Sequence, residues 1–388
     1  MKNCIQIPRI LLPENGFETW AVIACDQFTS DRAYWERVKE TVGSEPSTLN
    51  FILPEVYLGE EDEVRIKEIH ENMYRALEEE TITKLARGFV FCERATASGT
   101  RRGLVAAIDL EAYTCKRGEV SPIRSSEEVV PSRLPARVRL RRGAPLEFPH
   151  ALVFYQDKKN RIVKALLRED LEKLYDFKLM EGGGHLTGYF VPEYLAEEIA
   201  EELYSREEPS FAVADGNHSI AAAKAYWEEI KKTLTGEEKL YHPARFTLVE
   251  LVNLYDDAVE FHPIHRLIKE IDTEALCDFF SKRVKCKRQG SVLYPALPAS
   301  AETVETVDAV IEEFVRVNGG KIDYIHGEKE LLAFANEEDA AGIMLKPIEK
   351  DGFFERLKHG DNFPKKTFSI GEGVEKRYYV EGREISYD

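Results

Sequence analysis

Two spacings of apolar residues run along the chain. Residues 61–87 carry apolar positions at helical intervals among many charges, which predicts a long amphipathic helix. The stretches around 88–95, 103–113 and 150–157 are β-rich, and "FTLVELVNL" reads as a further strand. "WAVIACDQFTSDRAYWERVKETVG" reads as strand, polar turn and helix, with Thr29 or Ser30 as the expected N-cap and Gly43 as the stop. "PEYLAEEIAEELYS" predicts a helix with proline in its first turn. Beyond about 266 the patterns "HRLIKEIDTEALCDFFSKRV" and "AETVETVDAVIEEFVRVNGG" are helical, separated by "YPALPAS". Together these predict a mixed α+β protein without the regular βαβ alternation of a doubly wound sheet, divided into a core over 1–270 and a smaller C-terminal α/β region over 271–388.

Within this pattern, "FAVADGNHSIAAAK" combines a strand, a turn and chemistry. Phe211 to Ala214 is a short apolar run after Pro209-Ser210, as a buried strand requires. Asp215-Gly216 is a turn signal, and Asn217 is the expected helix N-cap. Ile220, Ala223, Trp227 and Ile230 then fall on one helical face. A glycine turn leading into a helix start offers backbone N–H groups and the positive end of the helix dipole, a seat for phosphate. Gly216 allows close approach, His218 can donate to a phosphate oxygen or pass a proton, and Asp215 can hold a metal ion or orient a hydroxyl. A capped helix after an ordinary turn satisfies the same spacing.

Composition narrows the function. A net charge of −17 sets most of the surface against a phosphate backbone, so nucleic acid is not the expected partner. No apolar run reaches the roughly 18 residues needed to span a bilayer, and the first sixteen residues are too polar and proline-broken for a signal peptide. The six cysteines form no CxxC pair, which fits reduced thiols and a cytoplasmic location. Oligomerisation is compatible with the sequence but not specified by it.

Other candidates lie outside the turn. Asp26, in Cys25-Asp26-Gln27-Phe28, sits at the expected end of the first strand, as a site carboxylate or a turn residue. Arg133, Arg137, Arg139, Arg141 and Arg142 form a dense basic run in an acidic chain. Alternation along "RVRLRR" would place Arg137, Arg139 and Arg141 on one strand face, for phosphate or as a guarded edge. Asp256, Asp257, His262 and His265 offer metal-type ligands, but Asp256-Asp257 reads better as a hairpin tip between "LVELVNL" and "AVEFHPI". "EGGGHLTGYF" lacks the GxGxxG spacing and reads as a hairpin or lid. No Walker A, HExxH, GxSxG or EF-hand pattern occurs.

"VADGNHSIAAAK" resembles the DGHHR or DGNHS signature of the family called domain of unknown function 1015. "ACDQFTSDRAYWERV", "PIRSSEEVVPSRLPARVRLRRGAPLEFPHALVF", "VEFHPIHRLIK" and "FPKKTF" resemble that family in the same order over nearly the whole chain. Two departures stand out. Asn217-His218-Ser219 replaces the family's His-His-Arg, and Ser126-Glu127-Glu128-Val129 replaces His-Glu-x-Thr, so roles of the missing arginine and histidine do not carry over. The Asp-Gly-His signature is remotely similar to the nucleotide loop of the ParB and sulfiredoxin-like superfamily, which includes free-serine kinases.

The resemblance implies a nucleotide-binding core and a phosphotransferase acting on a small hydroxylated metabolite, serine or phosphoserine first. It implies ATP or ADP with Mg2+ as cofactor, Asp215 as the metal carboxylate, and Asp26 or Glu127 as the base that accepts the hydroxyl proton. Gly216, Asn217 and Ser219 would contact phosphate, with Arg124, Arg137, Arg139, His265 and Arg266 as further nucleotide contacts. The other outcomes are a ParB-like regulatory or scaffold module that binds nucleotide without turnover, and an interaction protein without ligand. The donor, the acceptor, the direction of transfer and the metal are not encoded in any recognisable pattern.

Overall fold

A computed structural model describes residues 4–24, 28, 31–59, 62–148, 150–204, 209–371 and 373–387. It is a mixed α and β protein whose sheets contain both parallel and antiparallel pairs, as the sequence led us to expect. Two units are distinct. The first gathers Met1–Val259, Leu357–Gly360 and Glu372–Asp388, and the second Glu260–Arg356 and Asp361–Gly371. The chain therefore leaves the first unit at Val259, ahead of the boundary read near 270. Its last residues, read as part of the C-terminal region, return to the first unit as a strap: Tyr378–Tyr379 pair with Val22–Ile23, and Arg383–Glu384 pair with Leu146–Glu147.

The first unit is built on an eleven-stranded sheet among the described residues. Its antiparallel half holds the hairpin Glu172–Lys178/His185–Pro192 and the long strands Ile82–Thr96 and Gly99–Asp109. Phe246–Asn253 then pairs parallel with Ala151–Tyr155, followed by Phe211–Asp215, Ile123–Ser125 and Tyr113–Thr114. Strand periodicity sends alternate residues to two cores. Leu104, Ala106 and Ile108 join Phe211, Val213 and the helices Glu193–Leu203 and Asn217–Ile230 on one face. Val90, Cys92 and Val105 join Trp20, Phe148 and the strap residue Tyr378 on the other.

Several expectations are corrected, each for a physical reason. The amphipathic helix ends at Glu78, and the apolar positions from Ile82 onward belong to a strand. "HRLIK" is the end of the strand Phe261–Lys269 and not helix; the helix is confined to Thr273–Ser281, where Asp272 caps it. Asp256-Asp257 is no hairpin tip, because the strands before and after it pair in different sheets. The basic run is the helix Leu134–Arg141, not a strand, since Pro135 suits a first turn. Asp31 caps the helix Arg32–Val42 through the Tyr34 amide, with Gly43 at its end as expected. Thr29 and Ser30 lie outside the described residues. The glycine-rich segment before His185 does lie at a hairpin turn.

The second unit carries a six-stranded sheet around Phe261–Lys269. Arg266 is fully buried there. It pairs with Asp308 at 2.7 and 2.9 Å, donates to the carbonyls of Ile264 and Lys366, and lies over the Tyr324 ring. His265 accepts the Leu345 amide at Nδ1, and burial with the neighbouring Arg266 lowers its pKa to about 4. The folded pKa lies below the unfolded one. Stability is therefore full above about pH 6.5 and falls as protons bind the unfolded chain between about 6.5 and 4, then levels off. Urea unfolding followed across that range should show this slope, and His265→Asn should flatten it.

Candidate functional site

The signature segment folds as read, with one change. Phe211–Asp215 is a buried strand, Gly216 sits at φ +91°, and the helix Asn217–Ile230 starts at once. Asn217 is not the N-cap. Gly216 is, and the helix start has no side-chain cap. Asn217 is buried and turned toward the neighbouring strand, where its Oδ1 lies 2.6 Å from the Ser125 hydroxyl and 3.2 Å from the Ser126 amide. Ser125 and Asp215 end parallel neighbours, so both turns lie on one edge of the sheet. The Ser125 hydroxyl also reaches the Glu127 carbonyl at 2.6 Å, which fixes the Glu127 backbone beside the helix start.

The helix start has no side-chain cap, and within its first turn the Ser219 amide donates to the Gly216 carbonyl at 2.9 Å. His218 and Ser219 are half-buried there. His218 Nε2 accepts the Val130 amide at 3.0 Å, which assigns the ring proton of the neutral form to Nδ1. The residue that completes the corner comes from the strap. Arg377 Nε donates to Asp215 Oδ2 at 3.1 Å, and its Nη1 reaches the Ser219 hydroxyl at 3.3 Å. A guanidinium thus stands over the positive end of a helix, a doubly favourable place for an anion.

A cleft opens from this corner. Ser219 and Arg377 form part of its wall, with Trp35, Phe51, Leu53 and Leu140 supplying apolar surface and Arg137 and Arg141 further charge. Its volume is about 150 Å3. That is below the roughly 300–1,000 Å3 of a pocket that engulfs a ligand, so it suits one end of a longer molecule.

The arginines separate by role. Arg137 lines the cleft and pairs with Glu55. Arg139 pairs with Asp62 and Glu63, and buried Arg141 with Glu147. Arg124 is fully buried and donates to the carbonyls of Lys116, Glu119 and Gly360, so its guanidinium braces the loop before its strand. His265 and Arg266 belong to the second unit, with the partners given above. Asp26 and Cys25 lie outside the described residues; Ala24, two positions before Asp26, donates its amide to the Arg377 carbonyl. Among the described residues no group of three or more His, Cys, Asp or Glu side chains could hold a metal ion. No helix among them is long and apolar enough to cross a membrane. Sequence reasoning missed Arg377 and the segment 51–55. "GVEKRYYV" matches no motif, and only the tertiary return of the strap brings it to the signature turn.

Solved structures similar to this chain include a conserved hypothetical protein from Pyrococcus furiosus (11% identity, 73% of this chain and 95% of that chain, TM-score 0.36). A free serine kinase mutant in complex with ADP aligns at 12% identity over 71% of this chain and 91% of that chain, TM-score 0.39. SbnI with a C-terminal truncation, from Staphylococcus aureus, aligns at 11% identity over 71% and 82%, TM-score 0.37. No curated protein matches the sequence. The family described as "protein of unknown function (DUF1015)" matches residues 9–348, and the chain belongs to that family.

Proposed function

We propose that the first unit binds a nucleotide with its phosphates at the Asp215–Ser219 turn and its base toward the apolar cleft, and transfers a phosphoryl group between that nucleotide and a small hydroxylated metabolite. The observation that carries this reading is the shared wall: Ser219, in the first turn of the uncapped helix, and Arg377, which reaches its hydroxyl, both line the cleft. One ligand with an anionic end and an apolar end matches that pairing.

In the transfer step the acceptor hydroxyl oxygen attacks the terminal phosphorus. The bond from that phosphorus to the nucleotide oxygen breaks, and the nucleotide leaves with the bonding electrons. Glu127, whose backbone is held beside the helix start, accepts the hydroxyl proton; Asp26 is the other nominee. Arg377 and the positive end of the helix dipole after Gly216 stabilise charge on the transferred group, and His218 donates through Nδ1. Mg2+ is compatible with the corner: it needs only one or two carboxylates beside phosphate oxygens, and Asp215 is the carboxylate on offer. Bound there, it would neutralise phosphate charge.

Incubation with ATP or ADP, Mg2+ and free serine (the substrate in the name of the solved kinases) should yield phosphoserine. Asp215→Asn loosens the hold on Arg377. It should cut turnover about tenfold while shifting the thermal midpoint by only a few degrees. Nucleotide binding with no transfer to any hydroxylated acceptor would leave a regulatory nucleotide module and remove the transferase. Full activity in folded Asp215→Asn would remove the role of Asp215.

A further inference from the structure

Arg377 reaches the signature turn only because the strap around it is fixed, and the fixing groups are buried charges that the steps above do not use. Arg94 is 1% exposed. Its Nη2 donates to the Val374 carbonyl at 2.5 Å, and its Nη1 to the carbonyls of Glu375, at 3.0 Å, and Lys376. Its Nε donates to Gly183 at 2.9 Å. Arg101, also buried, donates from Nη1 to the Glu375 carbonyl at 3.0 Å and pairs with buried Glu250 at 3.2 Å. The Ser98 hydroxyl meets both Glu375 carboxylate oxygens at 2.9 Å. Immediately beyond, the Arg377 carbonyl accepts the Ala24 amide and Tyr378 pairs with Ile23. Burying two guanidiniums side by side is unfavourable unless each donor is used. Here they are spent on main-chain carbonyls of three successive residues, all just before Arg377.

We propose that Arg94 and Arg101 are positioning residues that set where the strap presents Arg377, making residues 374–378 an integral part of the ligand site. This rests on the nucleotide reading for its consequence, not for its geometry. The strap lies beyond residue 348, where the match to the family ends. A lysine at 94 keeps the charge but gathers its three donors on one nitrogen, so it cannot span the four carbonyls that Nε, Nη1 and Nη2 reach.

The test uses the full chain and two readouts. Phenylglyoxal modification of Arg377, followed by mass spectrometry, reports how firmly that side chain is held. Calorimetric titration with ADP reports the site. In Arg94→Lys the Arg377 modification rate should rise about tenfold and ADP affinity should fall about tenfold, with cooperative unfolding retained. In an Arg377→Ala background the affinity loss from Arg94→Lys should vanish, because the two act through one group. Unchanged Arg377 protection in folded Arg94→Lys, or additive affinity losses, overturns the proposal. If Arg94→Lys does not unfold cooperatively, Ser98→Ala, which frees the Glu375 carboxylate, is read the same way with about a threefold effect. Should the wild-type chain not bind ADP, the nucleotide reading falls, and the modification rate alone still decides the positioning role.

Discussion

Arg377→Ala is expected to weaken ADP binding by about 2–3 kcal/mol, roughly 30- to 150-fold, the range for losing a charge-assisted contact to phosphate in a half-buried site. Arg377 stands between Asp215 and Ser219 and forms part of the cleft wall, so its removal takes charge from the place where the helix start is also positive. Calorimetric titration of both chains at one salt concentration measures it, since the contact is electrostatic. Arg377→Lys should recover part of the loss, because an ammonium supplies charge without the fork. A folded Arg377→Ala chain that binds ADP as tightly as wild type would place the phosphates elsewhere.

Gly216→Ala should act on both stability and binding. At φ +91° an alanine is strained, and its Cβ would lie 2.9 Å from Arg377 Nη1 and 3.0 and 3.1 Å from Ala151 Cβ and Cα. Strain of about 1–2 kcal/mol and overpacking of about 1–3 kcal/mol together give roughly 2–5 kcal/mol of destabilisation, read as a lowered urea midpoint. Gly118→Ala is the matched control: φ is +81°, but nothing lies within 4 Å of the added methyl, so only the strain remains. The difference between the two variants isolates the crowding against Ala151 and Arg377. ADP affinity should fall in Gly216→Ala and stay level in Gly118→Ala. Equal costs and equal affinities would mean that the close approach at Gly216 has no consequence.

The signature turn was legible because its information is local. An apolar run, Asp-Gly and a helical apolar stripe at Ile220, Ala223 and Trp227 fix strand, turn and helix within twenty residues. Asn217 misled because a good capping residue was judged by its neighbours alone. Ser125, which ends the neighbouring strand, and Ser126 just after it claim its side chain, and the cap role passes to Gly216. The arginine run failed similarly: six residues of alternating charge fit a strand as well as a short helix, and Pro135 with the contacts of Val138 decides for helix. Arg377 could not be read at all. Its role depends on the strap pairing with Val22–Ile23, a contact between the two ends of the chain that no local pattern encodes. Arg124 shows the reverse case. It matches the family stretch and is beside the turn in sequence order of the sheet, yet burial and three carbonyls make it a brace.

The most direct measurement is a calorimetric titration of the wild-type chain with ADP and, in parallel, inorganic pyrophosphate and adenosine. An anionic end seated at Gly216–Ser219 and an apolar end in the cleft predict saturable binding of ADP, weaker binding of each half alone, and competition of both halves with ADP. Binding of ADP undiminished by pyrophosphate and unaffected by Arg377→Ala, or no binding of ADP at low salt, would contradict a phosphate seat at that corner.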